Sequence, residues 1–139
     1  MSAHTRHVFD LYRTISDGAS GDDVARFFHA DAEQVEYPNR FRPDGHRRGL
    51  AEMQAGAALG AQLVADQHYE VHRFVEDGDQ LAVQLTWTAT VARDLGAIRA
   101  GTRLVAHVAA FYVFRDGLIL RQSSYDCYEP VAEPAGSSG

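Results

Sequence analysis

From residue 80 to residue 128 the sequence alternates between two kinds of side chain with a period of two. No other feature constrains the fold as strongly. Leu81, Val83, Leu85, Trp87 and Ala89 fall on one side of an extended chain, and Gln84, Thr86, Thr88 and Thr90 on the other. A helix would spread such a pattern around its circumference, whereas a strand divides it between two faces. Asp77-Gly78-Asp79 and Asp116-Gly117 punctuate the pattern, and each supplies the flexible backbone a tight hairpin needs. The reading is an antiparallel meander of four strands, over residues 68–76, 80–92, 103–115 and 118–128, with a loop at 93–102.

The N-terminal half is written differently. Val8, Leu11, Tyr12 and Ile15 recur at three- and four-residue spacing and predict a helix over 4–17, stopped by Asp17-Gly18-Ala19-Ser20-Gly21. A short second helix is expected over 24–28, with Asp22 or Asp23 accepting its free N–H groups. Residues 33–37 read as a short strand ended by Pro38, and 39–48 as a polar loop carrying four arginines. Leu50, Met53, Ala57 and Val64 mark a third helix over 50–65. Helices segregated from an antiparallel sheet define an α+β fold. The expected architecture is a cone: a curved mixed or antiparallel sheet with three N-terminal helices enclosing a pocket. One domain over 1–130 and a flexible tail over 131–139 complete it.

Composition narrows the function. The net charge of −6 supplies no basic field for phosphates, so nucleic acid is not an expected partner. Cys127 is the only cysteine, which excludes an internal disulfide. The first residues lack the apolar stretch of a signal peptide. The longest apolar run, 104–114, contains His107 and falls short of the roughly 20 residues of a membrane span. The expectation is a cytoplasmic protein without a membrane partner. Arginine occurs without lysine throughout, which fits a GC-rich coding bias and carries no mechanism.

Four segments carry a resemblance. They are Phe27-Phe28-His29-Ala30-Asp31-Ala32-Glu33-Gln34-Val35-Glu36-Tyr37-Pro38, Val75-Glu76-Asp77-Gly78-Asp79, Val113-Phe114-Arg115-Asp116-Gly117-Leu118-Ile119 and Tyr125-Asp126-Cys127-Tyr128-Glu129-Pro130. In this order and spacing the chain resembles the SnoaL-like proteins of the nuclear transport factor two-like, or ketosteroid isomerase-like, superfamily, over about residues 4–130. That resemblance implies a small-molecule cavity, but the superfamily holds isomerases, cyclases, hydrolases and binders. At the positions matching the two carboxylates of ketosteroid isomerase stand Tyr37 and Ala110, and Tyr12 lies near its oxyanion tyrosine. Limonene-epoxide hydrolase is similar at Asp126, but Leu85-Thr86-Trp87-Thr88-Ala89 lacks its Arg and Asp. The SnoaL polyketide cyclases use an aspartate on the last strand as acid/base, without a cofactor, and Asp126 fits that position.

Asp126 and Tyr37 are therefore the expected catalytic residues. Alternation from Asp126 turns Leu120, Gln122 and Ser124 inward. The register that the resemblance implies turns in Leu81, Val83, Leu85 and Trp87 from one strand, and Val108, Ala110 and Tyr112 from another. Tyr12 and His46 are expected at the edge of this pocket. An apolar lining with a few polar groups suits a small hydrophobic organic ligand. His68 and His72 share a face but have no third ligand, so no metal site is expected. Both faces of 103–115 are apolar, with Val105, Ala109, Phe111 and Val113 on the outer one, so a homodimer across the sheets is expected. The reading is a cofactor-free enzyme of cyclase or isomerase type. The alternatives are a non-catalytic binding module and an epoxide-hydrolase-like enzyme.

Overall fold

The structure is a computed structural model that describes residues 1–131. Apart from Val131, the expected tail lies outside the described residues. The chain runs α1 (Ala3–Ser16), α2 (Gly21–Ala25), β1 (Phe28–Glu36), β2 (His46–Gly49), α3 (Leu50–Leu63), β3 (Val64–Asp77), β4 (Gln80–Val91), β5 (Arg103–Arg115) and β6 (Leu118–Tyr128). The six strands form one curved, unclosed mixed sheet in the order β2-β1-β6-β5-β4-β3. All neighbours are antiparallel except β1 and β6, which run parallel. The expected α+β architecture with three helices is the observed one.

The hairpin turns behave as their sequences require. Gly78 and Gly117 have φ of 58° and 77°, the left-handed region that glycine enters without strain. Inside the sheet, Leu81, Val83, Leu85, Ala110, Tyr112 and Phe114 pack with Val8, Leu11 and Tyr12 of α1. Burial of that apolar stripe is what holds α1 on the sheet.

Several boundaries differ from expectation, each for a physical reason. Ser20, not Asp22 or Asp23, caps α2. Its side chain accepts from the Asp23 N–H while the Asp23 carboxylate reaches back to the cap, a reciprocal pair. At Gly21 the helix touches the Gln54 carbonyl of α3, where an added Cβ would overlap the oxygen. The third helix stops at Leu63, and β3 begins four residues earlier than the alternation suggests, because Asp66 adopts φ 53° in a bulge that breaks the pattern. On the other side of the sheet, β1 begins at Phe28, with a second irregularity between Phe28 and Glu33.

Two differences matter for the site. His46–Gly49, read as loop, is an edge strand paired with β1, with Gln34 opposite Arg48 and Glu36 opposite His46. It has no hydrophobic alternation of its own, and three of its four ladder partners are polar. A further bulge lies between the Val113–Arg121 and Phe114–Ile119 pairs. It shifts the parity of β6, so that Ile119 rather than Leu120 faces in, and Ile119 is fully buried. Beyond the bulge, Gln122, Ser124 and Asp126 face in as expected.

Candidate active site

Between the inner face of the sheet and α3 lies a cavity of about 440 Å³. Its walls include Tyr12, Leu85, Trp87, Val108, Ala110, Tyr112, Gln122, Ser124 and Asp126, nine of the expected site residues. Met53, Gly56, Ala57 and Gly60 of α3 close the opposite side. The small side chains of α3 give it little to bury, and among its residues only Met53 is buried. They also leave room in front of the sheet.

Three expected residues are not walls of the cavity. Tyr37 follows Gln34 and Glu36, which face inward, so alternation turns it out. Its ring stacks on Tyr125 of the outer face at 4.4 Å and is more than a third exposed. Val83 does face inward, but it is buried in the packed core beneath α1 and does not reach the cavity. His46 stands at the edge of β2, with Nε2 4.0 Å from Glu52 Oε2. The role expected of Tyr37 therefore has no geometry to support it.

The polar residues are organised around the parallel β1–β6 pair. Here Gln34 is level with Gln122, and Glu36 with Ser124. Arg48 donates to Gln34 Oε1 and to Glu36 Oε1, each at 3.0 Å. Both partners of the Arg48–Glu36 ion pair are largely buried, with side chains 14% and 17% exposed. Asn39 donates to the other Glu36 oxygen at 2.7 Å. Removing Arg48 alone would leave a buried carboxylate without its countercharge, which is costly. Gln34 Nε2 reaches Gln122 Oε1 at 3.0 Å, and the hydroxyls of Tyr12 and Tyr112 meet at 2.6 Å. Tyr12 also stacks on Tyr69 at 4.5 Å.

Asp126 hangs into this cavity from β6, opposite Val108 of β5. Burial pushes its carboxyl up from 3.8 to about 6, and the nearby Glu36 charge adds to the rise. Ser124, donating at 3.4 Å, and the Arg48 charge oppose it. Burial likewise raises the phenols of Tyr12, Tyr69, Tyr112 and Tyr128 well above their ordinary range. They stay protonated at neutral pH and can only donate to, or accept from, a ligand as neutral hydroxyls. The site thus combines one carboxyl that changes charge near neutrality with several phenols that do not. Such a pair suits proton transfer beside a polarised carbonyl.

Sequence reasoning missed Gln34, Glu36, Tyr69 and Tyr128, and considered Arg48 only beside His46 and Arg47, as a rim contact for an acidic substrate and not as the partner of Glu36. Tyr69 and Tyr128 were within reach of simple alternation, since Tyr69 pairs with Trp87 and Tyr128 with Ala106. The other three depend on which strand β1 joins, and the sequence carries no local sign of that. His107 faces outward as its register suggests, between Thr86 at 3.4 Å and Glu129 at 2.7 Å. Among the described residues, no three His, Cys, Asp or Glu side chains are grouped to hold a metal, and no helix is long and apolar enough to cross a membrane.

A curved sheet with an acid-bearing cavity between it and its helices defines a class, the cone-shaped fold of ketosteroid isomerase-like proteins. Within that class the chain belongs to the SnoaL-like domain family, whose sequence model matches residues 8–122. No curated protein matches the sequence. Among solved structures it is similar to a SnoaL-like polyketide cyclase from Agrobacterium tumefaciens, at 20% identity and TM-score 0.68, covering 91% of this chain and 92% of that one. It is similar to AclR, a candidate hydroxylase from Streptomyces galilaeus, at 17% identity and TM-score 0.72, covering 88% and 74%. A third is a hypothetical protein of ketosteroid isomerase-like fold from Catenulispora acidiphila in complex with trimethylamine, at 16% identity and TM-score 0.68, covering 86% and 83%. Identities this low show the shared fold alone.

Proposed function

We propose that this protein is an enzyme of cyclase or isomerase type, acting without a cofactor on a small, largely apolar organic molecule that carries a carbonyl group. The observation that supports it is Asp126, a carboxyl raised to about 6 inside an apolar, aromatic cavity. As a carboxylate, Asp126 takes a proton from the carbon next to the carbonyl. The electron pair left behind moves onto the carbonyl oxygen, where a phenol or the Gln122 amide holds it. The same carboxyl then returns the proton as charge moves back to carbon. The protein works in the cytoplasm as a homodimer, joined over the outer aromatic patch of Phe111, Tyr125 and Tyr37.

Proton exchange tests the chemistry without the natural substrate. The probe is 2-acetylnaphthalene, an apolar aryl ketone with exchangeable methyl protons. Trp87 is the only tryptophan and lines the cavity, so its fluorescence reports binding. In heavy water the wild-type protein should speed exchange of the methyl protons, and Asp126→Asn should abolish this while still binding the probe. Exchange retained by Asp126→Asn would overturn the assignment. Binding with no exchange in the wild type would leave the non-catalytic module as the better account.

One observation favours a second reading, hydrolysis of an epoxide. Glu36, level with Ser124 on the strand beside that of Asp126, is ion-paired to Arg48, and Arg48 and Asp126 both line the cavity. Two carboxylates and a guanidinium so placed can activate water and protonate an opening ring. Labelled oxygen passing from water into the diol formed from styrene oxide would support it.

A further inference from the structure

The polar groups on the sheet side of the cavity form one hydrogen-bonded chain, and its direction has a chemical consequence. Arg48 donates from Nη1 to Gln34 Oε1 at 3.0 Å. A guanidinium has donors and no acceptor, so the Gln34 oxygen must face Arg48 and its Nε2 must face away. That Nε2 donates to Gln122 Oε1 at 3.0 Å, which turns the Gln122 Nε2 toward the Tyr112 hydroxyl at 3.5 Å. The Tyr112 oxygen then accepts from Gln122, and its own proton goes to its short neighbour, the Tyr12 hydroxyl, at 2.6 Å. The reverse order would leave the Tyr112 proton without an acceptor on a side chain only 1% exposed. It would also break the head-to-tail order in which each bond polarises the next. Tyr12, at the end of the chain, keeps a proton that no other side chain among the described residues takes up, and Tyr12 lines the cavity.

We infer that Arg48 and Gln34 are positioning residues whose hydrogen bonds, relayed through Gln122 and Tyr112, aim the Tyr12 O–H into the cavity as the donor for a ligand's carbonyl oxygen. The inference rests on the reading of the cavity as a site for a carbonyl compound. It narrows the ligand to a ketone, ester or aldehyde with its oxygen at the Tyr12 end and its acidic hydrogen toward Asp126. Both positioning residues also reach the cavity wall, but in this role each acts on the ligand's oxygen through Gln122 and Tyr112 rather than by contact. Arg48 sits on an edge strand and Gln34 on its neighbour, and both act through two further side chains.

The carbonyl stretching frequency of bound 2-acetylnaphthalene reads the donor directly, with Trp87 quenching as the measure of occupancy. In the wild-type protein the bound band should fall below its position in hexane, the sign of a hydrogen bond to the oxygen. Tyr12→Phe should bind the probe and return the band to the hexane position. Gln34→Met cuts the chain but leaves the Arg48–Glu36 pair intact, and should lose most of the shift at full occupancy. Arg48→Met combined with Glu36→Gln, which leaves no orphaned charge, should do the same. A wild-type shift that survives Gln34→Met would overturn the positioning role while leaving the Asp126 reading standing. A wild-type probe that is bound but unshifted would overturn Tyr12 as the donor. No quenching of Trp87 at all would overturn both the inference and the reading of the cavity on which it rests.

Discussion

Replacing Asp126 by Asn should stabilise the protein, and the gain should depend on pH in a defined way. The folded protein holds the Asp126 proton up to about pH 6, whereas the ordinary value is 3.8. Between those values the folded state binds a proton that the unfolded chain has released, so stability falls as pH rises. The interval corresponds to about 3 kcal/mol in full. Asp126 is not wholly enclosed, and screening by water in the open cavity reduces the figure to about 2 kcal/mol. Below about pH 3 both states are protonated and the residue carries no penalty. Above pH 7 the folded protein bears the whole cost of a carboxylate held among Trp87, Tyr112 and the Glu36 charge. Asparagine keeps the shape and never ionises. Denaturant melts of both proteins at pH 4.5 and pH 8 check this, since every other carboxyl is common to the two. Asp126→Asn should gain about a third as much at the lower pH as at the higher, where the gain is about 2 kcal/mol, or about 8 °C in melting temperature. A gain equal at both pH values, or a loss at pH 8, would refute the claim that burial disfavours the charged form here.

The other predictions concern the reaction, the helices and the outer face. If Asp126 acts as the base, exchange of the ketone's methyl protons should rise with pH around a midpoint of about 6, and a rate flat from pH 5 to 8 would contradict that. Gly21→Ala should cost about 1–3 kcal/mol, because the new methyl meets the Gln54 carbonyl and pushes α2 from α3. An unchanged melting temperature would show that the two helices are free to part. Phe111→Asp, which puts a charge into the outer aromatic patch, should convert a dimer to a monomer by light scattering and leave the fold's circular dichroism unchanged. A dimer that persists would place the interface elsewhere.

Strand alternation and turn chemistry are local properties, and they were readable wherever the chain stayed regular. Parity divided β4, β5 and β6 into two faces, and the family resemblance said which face, with Asp126, Ser124 and Gln122, turns inward. Parity also failed in a readable way. Tyr37 was placed by likeness to a family position, yet it stands an odd three positions after the inward Gln34, and the alternation of β1 turns it outward. Leu120 was misplaced because one extra residue beside it reverses the face of everything before it, and the bulge has no strong sequence mark. His46–Gly49 was invisible as a strand because its own residues, His-Arg-Arg-Gly, carry no apolar rhythm, and three of its four ladder partners on β1 are polar.

By itself, the sequence determined the period-two sheet, the amphipathic α1 and the hairpins at Gly78 and Gly117. All of these depend on residues a few positions apart, where backbone geometry and burial act directly on the local pattern. Only the tertiary structure decided that β1 lies parallel beside β6, that Arg48 enters from the edge, and that Gln34, Gln122, Tyr112 and Tyr12 join into one chain. Those contacts span as many as 100 positions in sequence. Their energy comes from burying polar groups that must then find partners, and which partner each finds depends on how the whole sheet closes around the cavity.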